Sequence, residues 1–160
     1  MFARETGSAA APTAGLHFTR EILEACRRAG ADIAYVTLHV GLGTFQPVHG
    51  ESIHSERFHV TAENAAPIRA AQRVMCAGTT SVRAVESMYR GKTGETDLFI
   101  RPGFPFQRTN ALLTNFHLPE SSLLVLVCAF AGREFVLSAY RHAVETGYRF
   151  YSYGDCMLIV

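Results

Sequence analysis

Hydroxyl side chains follow a buried-strand pattern in the segment VMCAGTTSVRAVES, residues 74–87. The apolar run ends at Gly78, where the missing Cβ lets the backbone approach a ligand. Three hydroxyl side chains come next: Thr79, Thr80 and Ser81. A helix that begins here would present N–H groups to an anion. Ser and Thr are also ordinary helix caps, so capping alone is the other interpretation.

A second polar group stands directly before the most apolar segment of the chain, in LLTNFHLPESSLLVLVCAF, residues 112–130. Asn115 and His117 leave a predicted strand, and Pro119 or Ser121 begins a predicted helix. A buried apolar helix would hold these polar groups on a rigid support. Burial also lowers the pKa of an imidazole, which suits a base near neutral pH. A structural histidine bonded to a carbonyl group is the alternative.

Two further segments contain candidate site residues. His17 follows the small-residue loop of APTAGLHFT and precedes a helix, whereas Asp155 lies in the turn of YSYGDCMLIV before a final strand. A metal site is not predicted, because His54, Glu56 and His59 lack the spacing and the helical context of zinc ligands.

Alternating strand and helix patterns must position these residues. Helices are expected at 19–29, 61–71, 79–90, 119–130 and 133–146. Strands are expected at 32–40, at the end of a long loop that starts at residue 41, and at 73–78, 97–100, 111–116 and 156–160. This alternation predicts one α/β domain, residues 1–160, with a mainly parallel sheet and flanking helices. Ligands of such sheets gather where strands end and helices begin.

The composition restricts the function classes. With 48% hydrophobic residues, 18% charged residues and a net charge of +1, the chain is expected to fold and to lack a general field for polyanions. Any nucleic-acid contact would be a local patch. The 4 cysteines are widely spaced, as expected of reduced thiols in a cytoplasmic protein. The longest apolar run, 123–131, is too short for the roughly 20 residues of a membrane span.

Six segments resemble the S-adenosylmethionine:tRNA ribosyltransferase-isomerase family of queuosine biosynthesis in order and spacing: GSAAAPTAGLHFT, VTLHVGLGTFQPV, IHSE, AGTTSVRAVES, LLTNFHLPESSLLVLVCAFAG and YRFYSYGDCMLI. The resemblance implies an enzyme that moves the ribosyl part of S-adenosylmethionine onto 7-aminomethyl-7-deazaguanine in tRNA. The products would be epoxyqueuosine in the tRNA, adenine and methionine. S-adenosylmethionine is then a co-substrate, tRNA is a partner, and no tightly bound cofactor is expected.

The implied reaction assigns a role to each candidate residue. A base must remove a proton from the ribose carbon next to the sulfonium, and His17 and His117 are both candidates. Glu56 and Asp155 are the carboxylates available to the sulfonium and the ammonium. Asn115 would hold a base edge or orient the imidazole. Donors for the carboxylate and ribose hydroxyls are expected at one helix N-terminus: Gly78, Thr79, Thr80, Ser81 and Arg83.

Family members are much longer than this chain, and a β-barrel is inserted into their α/β domain upstream of the matching segments. The resemblance therefore implies an incomplete domain that lacks its N-terminal strands and the barrel. A fragment that is inactive, or that self-associates through an exposed sheet edge, is the alternative. A nucleotide enzyme with Gly78–Ser81 on a phosphate is a further alternative.

Overall fold

A computed structural model describes residues 2, 4–41 and 53–160. A 3₁₀ helix at Thr13–His17 precedes the α-helices, which are α1 Arg20–Arg28, α2 Ala62–Ala70, α3 Thr79–Tyr89, α4 Ser122–Ala131 and α5 Arg133–Glu145. The strands are β1 Thr37–Leu38, β2 Glu56–His59, β3 Met75–Ala77, β4 Gly94–Thr96, β5 Ala111–Asn115 and β6 Cys156–Ile159. The chain is therefore a mixed α/β structure. The part of the predicted long loop at 42–52 lies outside the described residues.

The described strands form two small sheets, in the orders β1-β2-β4 and β3-β5-β6. Only the pairing of β3 with β5 is parallel among these strands, and the other three pairings are antiparallel. The prediction of a mainly parallel sheet is therefore wrong for the described part of the chain. In the β3-β5-β6 sheet the physical reason is that the segment 146–155 after α5 brings β6 back beside β5 in the opposite direction.

Two predicted strands are also corrected. Within 32–40 only Thr37–Leu38 is a strand, and the N–H of Tyr35 donates to Oδ1 of Asn64 in α2 at 2.6 Å instead of to a strand. The segment 97–100, whose last three residues are apolar, follows β4 without joining a sheet, and its Ile100 is 1% exposed in the core. Apolar character alone indicates burial there, not strand pairing.

Local signals placed the helices well. The hydroxyl groups of three N-cap residues accept hydrogen bonds from the first turns of α1, α2 and α4: Thr19, Thr61 and Ser121. Gly132, at φ 86°, separates α4 from α5. Such a conformation is accessible to glycine and costly for other residues.

One cluster of buried apolar side chains connects both sheets and α3, α4 and α5. Its fully buried members include Val82, Leu112, Val127 and Val136. Within the described ranges no single helix is long and apolar enough to cross a membrane, and α4 and α5 meet those criteria only as a pair bent by 115°.

A buried carboxylate connects α3 to the start of β5. Glu86 is 0% exposed, and its two oxygens accept hydrogen bonds from the backbone N–H groups of Gln107, Arg108 and Thr109 at 2.8 to 3.0 Å. Arg90, one turn along α3, forms a salt bridge with the same carboxylate. Burial raises the pKa of Glu86, but these donors outweigh it and hold the pKa below its ordinary value.

Glu86→Ala should lower the free energy of unfolding by about 3 kcal/mol or more, because it leaves three N–H groups without their acceptor and removes the salt-bridge partner of the partly buried Arg90. The lowered pKa means that the stabilisation is present above the unfolded-state pKa of 4.5 and disappears as the pH falls through the native pKa. Urea unfolding of wild type and variant between pH 7 and pH 3 measures both effects. Glu24→Ala, at an exposed site in α1, is the matched control. Equal losses in the two variants would contradict the role given to Glu86.

Candidate functional site

Three loops that the sequence analysis singled out converge at one edge of the β3-β5-β6 sheet. Parallel pairing places Ala77 beside Leu113, and the N–H of Gly78 donates to the carbonyl of Leu113 at 2.7 Å. Antiparallel pairing places Asn115 opposite Cys156, so Asp155 lies at the same edge. The sheet register therefore brings the loops around Gly78, Asn115 and Asp155 together.

The 3₁₀ helix packs against β5 and beside Gly78 at the start of α3. At its start, Ala14 fills the space beside Gly78, where an added Cβ would stand 3.4 Å from the Ala14 side chain. Gly78 has φ 88°, so a glycine suits both the backbone conformation and the close packing. This packing, rather than the approach of a ligand, explains the glycine. At the other end of the 3₁₀ helix, His17 lies within electrostatic reach of Asp155.

Asp155 is held in an ionised state by its neighbours. Its carboxylate accepts a hydrogen bond from the backbone N–H of Arg149 at 2.8 Å, and the Arg149 guanidinium lies 3.2 Å from its other oxygen. These contacts lower the pKa of Asp155, and His17 adds to the effect. Asp155 can therefore supply negative charge at this edge near neutral pH.

Asn115 is 4% exposed and has a fixed orientation. Its Nδ2 donates to the carbonyl groups of Tyr151 at 2.8 Å and Ser152 at 3.4 Å. Its Oδ1 is buried and accepts no hydrogen bond from the residues described by the structure. Tyr151 has φ 70°, a conformation that is costly for a non-glycine residue and that these contacts help to hold. The side chain thus fixes the turn and keeps one acceptor unused.

The two candidate histidines differ in their contacts. Nε2 of His17 is buried and makes no hydrogen bond within the described chain. Nε2 of His117 lies 2.8 Å from Oγ1 of Thr114, and its backbone N–H donates to the Tyr140 hydroxyl at 3.0 Å. Burial lowers the pKa of His117 to about 4. The direction was expected, but this value is too low for a base matched to neutral pH.

Glu56 and Arg83 form a buried salt bridge with each other, between β2 and α3. Glu56 also accepts a hydrogen bond from the N–H of Gly41 at 2.8 Å, and Nε of Arg83 donates to the carbonyl of Leu98 at 3.2 Å. Nη2 of Arg83 is buried without a hydrogen-bond partner among residues 2, 4–41 and 53–160. The pair joins α3 to the β1-β2-β4 sheet, and no local pattern predicts a contact between two residues so far apart in the chain.

The three hydroxyl residues at the start of α3 do not act as side-chain caps. The N-cap position is Gly78, and Oγ of Ser81 donates to the carbonyl of Ala77 at 2.7 Å. Thr79 is 6% exposed and Thr80 is partly exposed. The N-terminus of α3 lies at the strand edge, where its N–H groups favour a negatively charged group. No cluster of three or more His, Cys, Asp or Glu side chains in the described residues could hold a metal ion.

Comparison with known proteins decides the family. The family model described as "Queuosine biosynthesis protein" matches residues 1–159. The chain belongs to the queuosine biosynthesis protein family. Two curated relatives are S-adenosylmethionine:tRNA ribosyltransferase-isomerases, from Solibacter usitatus at 64% identity over 100% of this chain and from Acidithiobacillus ferrooxidans at 54% identity over 99%.

A solved structure in the same family agrees with this fold. It is the crystal structure of S-adenosylmethionine tRNA ribosyltransferase from Thermotoga maritima, with a TM-score of 0.78 and 44% identity over 92% of this chain. This chain covers 51% of that structure, and 47% and 50% of the Solibacter and Acidithiobacillus relatives. It therefore spans about half the length of the family members it matches.

The sequence analysis did not identify three residues that support the candidate site of this family member. Thr114 contacts His117, Arg149 holds Asp155, and Tyr140 binds the backbone of residue 117. The spacing of Arg149 and Asp155 across a Gly-containing turn was a usable signal for a charge pair. The contact from Tyr140 had no comparable signal, since it spans 23 residues.

A proton titration of the histidines followed by NMR should show the His117 ring becoming charged near pH 4. Because the unfolded value is 6.5, unfolding takes up a proton between these two pH values, so this residue makes the protein less stable as the pH falls from 6.5 towards 4. His117→Gln identifies the resonance and removes this part of the pH dependence. A midpoint at or above about 6.5 would show that the ring is hydrated.

Proposed function

We propose that this chain carries the S-adenosylmethionine site of a tRNA ribosyltransferase-isomerase. The reaction is transfer of the ribosyl part of S-adenosylmethionine to 7-aminomethyl-7-deazaguanine in tRNA, which gives epoxyqueuosine and releases adenine and methionine. The observation that carries the proposal is the convergence of the Gly78, Asn115 and Asp155 loops, with two unpaired buried polar atoms, in a member of this family.

His17 is the proposed base that removes the proton from the ribose carbon beside the sulfonium. Its buried Nε2 has no hydrogen-bond partner in the described residues, so a bound co-substrate would not compete with an internal contact. The nearby Asp155 stabilises the imidazolium that forms. His117 is the weaker candidate, because its Nε2 contacts Thr114 and its pKa of about 4 limits the driving force for proton removal.

The other candidate residues have supporting roles in this proposal. Asp155 attracts the sulfonium and the ammonium of S-adenosylmethionine, and Asn115 contacts its nucleoside. The N-terminus of α3 binds the methionine carboxylate and ribose hydroxyls through Thr79 and Thr80. Gly78 and Ser81 shape this turn instead, because the N–H of Gly78 donates to the Leu113 carbonyl and Oγ of Ser81 donates to the Ala77 carbonyl. Arg83 and Glu56 hold α3 against the other sheet through their salt bridge, and a direct ligand contact from either is the less supported role.

We further propose that residues 1–160 form a single α/β domain of a longer fold that includes additional N-terminal strands and an inserted β-barrel. The share of about half of each relative supports this. S-adenosylmethionine is a co-substrate, tRNA is the partner, and the reaction takes place in the cytoplasm without a tightly bound cofactor. The net charge of +1 places any RNA contact on a local basic patch.

Replacing the base should remove most of the chemistry. In a full-length relative such as the Thermotoga protein, alanine at the position aligned with His17 should slow single-turnover adenine release by about 100-fold or more. Alanine at the position of His117 should have the smaller effect. The position of His142, exposed on α5, is the matched histidine control. The assignment of His17 fails if adenine release falls less than about tenfold, since general-base effects are typically larger.

A second candidate, a fragment that keeps part of the ligand site and self-associates, is favoured by the edge positions of β3 and β6 in their described sheet. Size-exclusion chromatography and calorimetric titration with S-adenosylmethionine separate the two functions. The proposed enzyme site predicts saturable binding to the isolated chain. The fragment predicts a concentration-dependent oligomer that does not bind S-adenosylmethionine.

A further inference from the structure

The unpaired acceptor of Asn115 cannot be explained by a different orientation of its amide. Turning the group over would place Oδ1 against the carbonyl oxygens of Tyr151 and Ser152, which now accept hydrogen bonds from Nδ2 at 2.8 and 3.4 Å. Two acceptors facing each other repel, so Nδ2 must face the turn. Oδ1 is therefore fixed on the other side of the amide plane.

A buried acceptor without a donor weakens a fold, so its retention in a rigid position needs an explanation. Asn115 is 4% exposed, and Oδ1 accepts nothing from the described residues. Nε2 of His17 is a second unpaired buried atom, on the 3₁₀ helix that packs against β5. Two such atoms at one end of a strand indicate a place for a polar ligand.

The charges nearby restrict the kind of donor that this oxygen can accept from. Asp155, at the same strand ends, supplies negative charge there and is paired with Arg149. An ammonium group is best matched by a carboxylate, whereas an amide oxygen is neutral and matches a neutral N–H or O–H group. A nucleoside provides such groups in the amino group of its base and in its ribose hydroxyls.

We propose that Oδ1 of Asn115 accepts a hydrogen bond from a neutral donor of the nucleoside part of the co-substrate, and so selects that nucleoside. This inference rests on the proposed function and adds a specificity-determining residue to it. The donor is either the amino group of adenine or a ribose hydroxyl, and the two sources can be distinguished by experiment.

The test is calorimetric titration of the chain with S-adenosylmethionine and three analogues. One analogue has hypoxanthine in place of adenine, and the others lack the 2′- or the 3′-hydroxyl. Wild type should bind the analogue without the relevant donor about 5- to 150-fold more weakly than S-adenosylmethionine, because the buried acceptor then stays unpaired. The analogue that loses affinity identifies the donor.

Two variants separate recognition from support of the turn. Asn115→Ala and Asn115→Asp both lose the Nδ2 donor, but only Asp keeps an acceptor oxygen. The affinity for S-adenosylmethionine divided by that for the analogue without the donor should fall close to one in Ala. In Asp this ratio should stay above the Ala value although overall affinity falls, because the second oxygen faces the carbonyl groups of Tyr151 and Ser152. A purely structural role would weaken all four ligands equally and leave the ratio unchanged, which would overturn the inference. Asn110→Ala, at the opposite end of β5, where its Oδ1 accepts from the N–H of Val74, should keep the wild-type ratio.

A measurement on the wild type covers the case in which the variants do not fold. Saturating S-adenosylmethionine should shift the side-chain amide resonances of Asn115, and the analogue without the donor should not. Equal shifts, or equal affinities of wild type for all four ligands, would overturn the inference and leave the proposed function standing. A wild-type chain that binds none of the four would overturn both.

Discussion

The candidate site depends on the register of one strand, β5. Its parallel pairing with β3 aligns the ends of both strands, so that Gly78 and Asn115 lie at the same edge. Its antiparallel pairing with β6 brings the residue before Cys156 to that edge as well. A shift of one residue would turn the side chain of Asn115 to the other face of the sheet, because neighbouring side chains on a strand point in opposite directions. The chemistry proposed here therefore follows from strand pairing before it follows from any single side chain.

The register is supported from the opposite end of the strand. Glu86 binds the three consecutive N–H groups that precede β5, while the first turn of α3 begins at the end of β3. The helix α3 therefore contacts both ends of the β3–β5 pair. Its first turn begins at the candidate site, and Glu86 in its later turns binds the segment that leads into β5. Burying a carboxylate destabilises the fold unless all of its hydrogen bonds are made. The contact of Glu86 therefore strongly favours one arrangement of the loop that precedes β5. Rigid placement of Asn115 is the consequence for the site.

How much the sequence predicts depends on the range of the interaction. Cap residues such as Thr19, Thr61 and Ser121 act within one turn of their own helix, and their helices were placed correctly. Strand direction depends on which segments meet after folding. The position of β6 was therefore predicted correctly, but its antiparallel pairing with β5 was not. Glu56 and Arg83 are 27 residues apart in the sequence and form an internal salt bridge. Both were predicted to contact the ligand, and no local pattern predicts that they pair with each other. In contrast, the convergence of the Gly78, Asn115 and Asp155 loops was predictable, because strand ends and helix starts carry a local signal.

The two histidines show why residue type and position do not settle a catalytic role. Both are candidate bases from the sequence, because partial burial can adjust the pKa of an imidazole for proton transfer near neutral pH. For His117 the burial goes further: its pKa falls to about 4, and Thr114 and Tyr140 bind its ring and its backbone. Such contacts make it a good anchor for the turn between β5 and α4. Nε2 of His17 is buried without a hydrogen bond in the described chain, and the carboxylate of Asp155, whose pKa Arg149 lowers, lies within electrostatic reach. These contacts support the proposal that His117 anchors the turn and that His17 is the base.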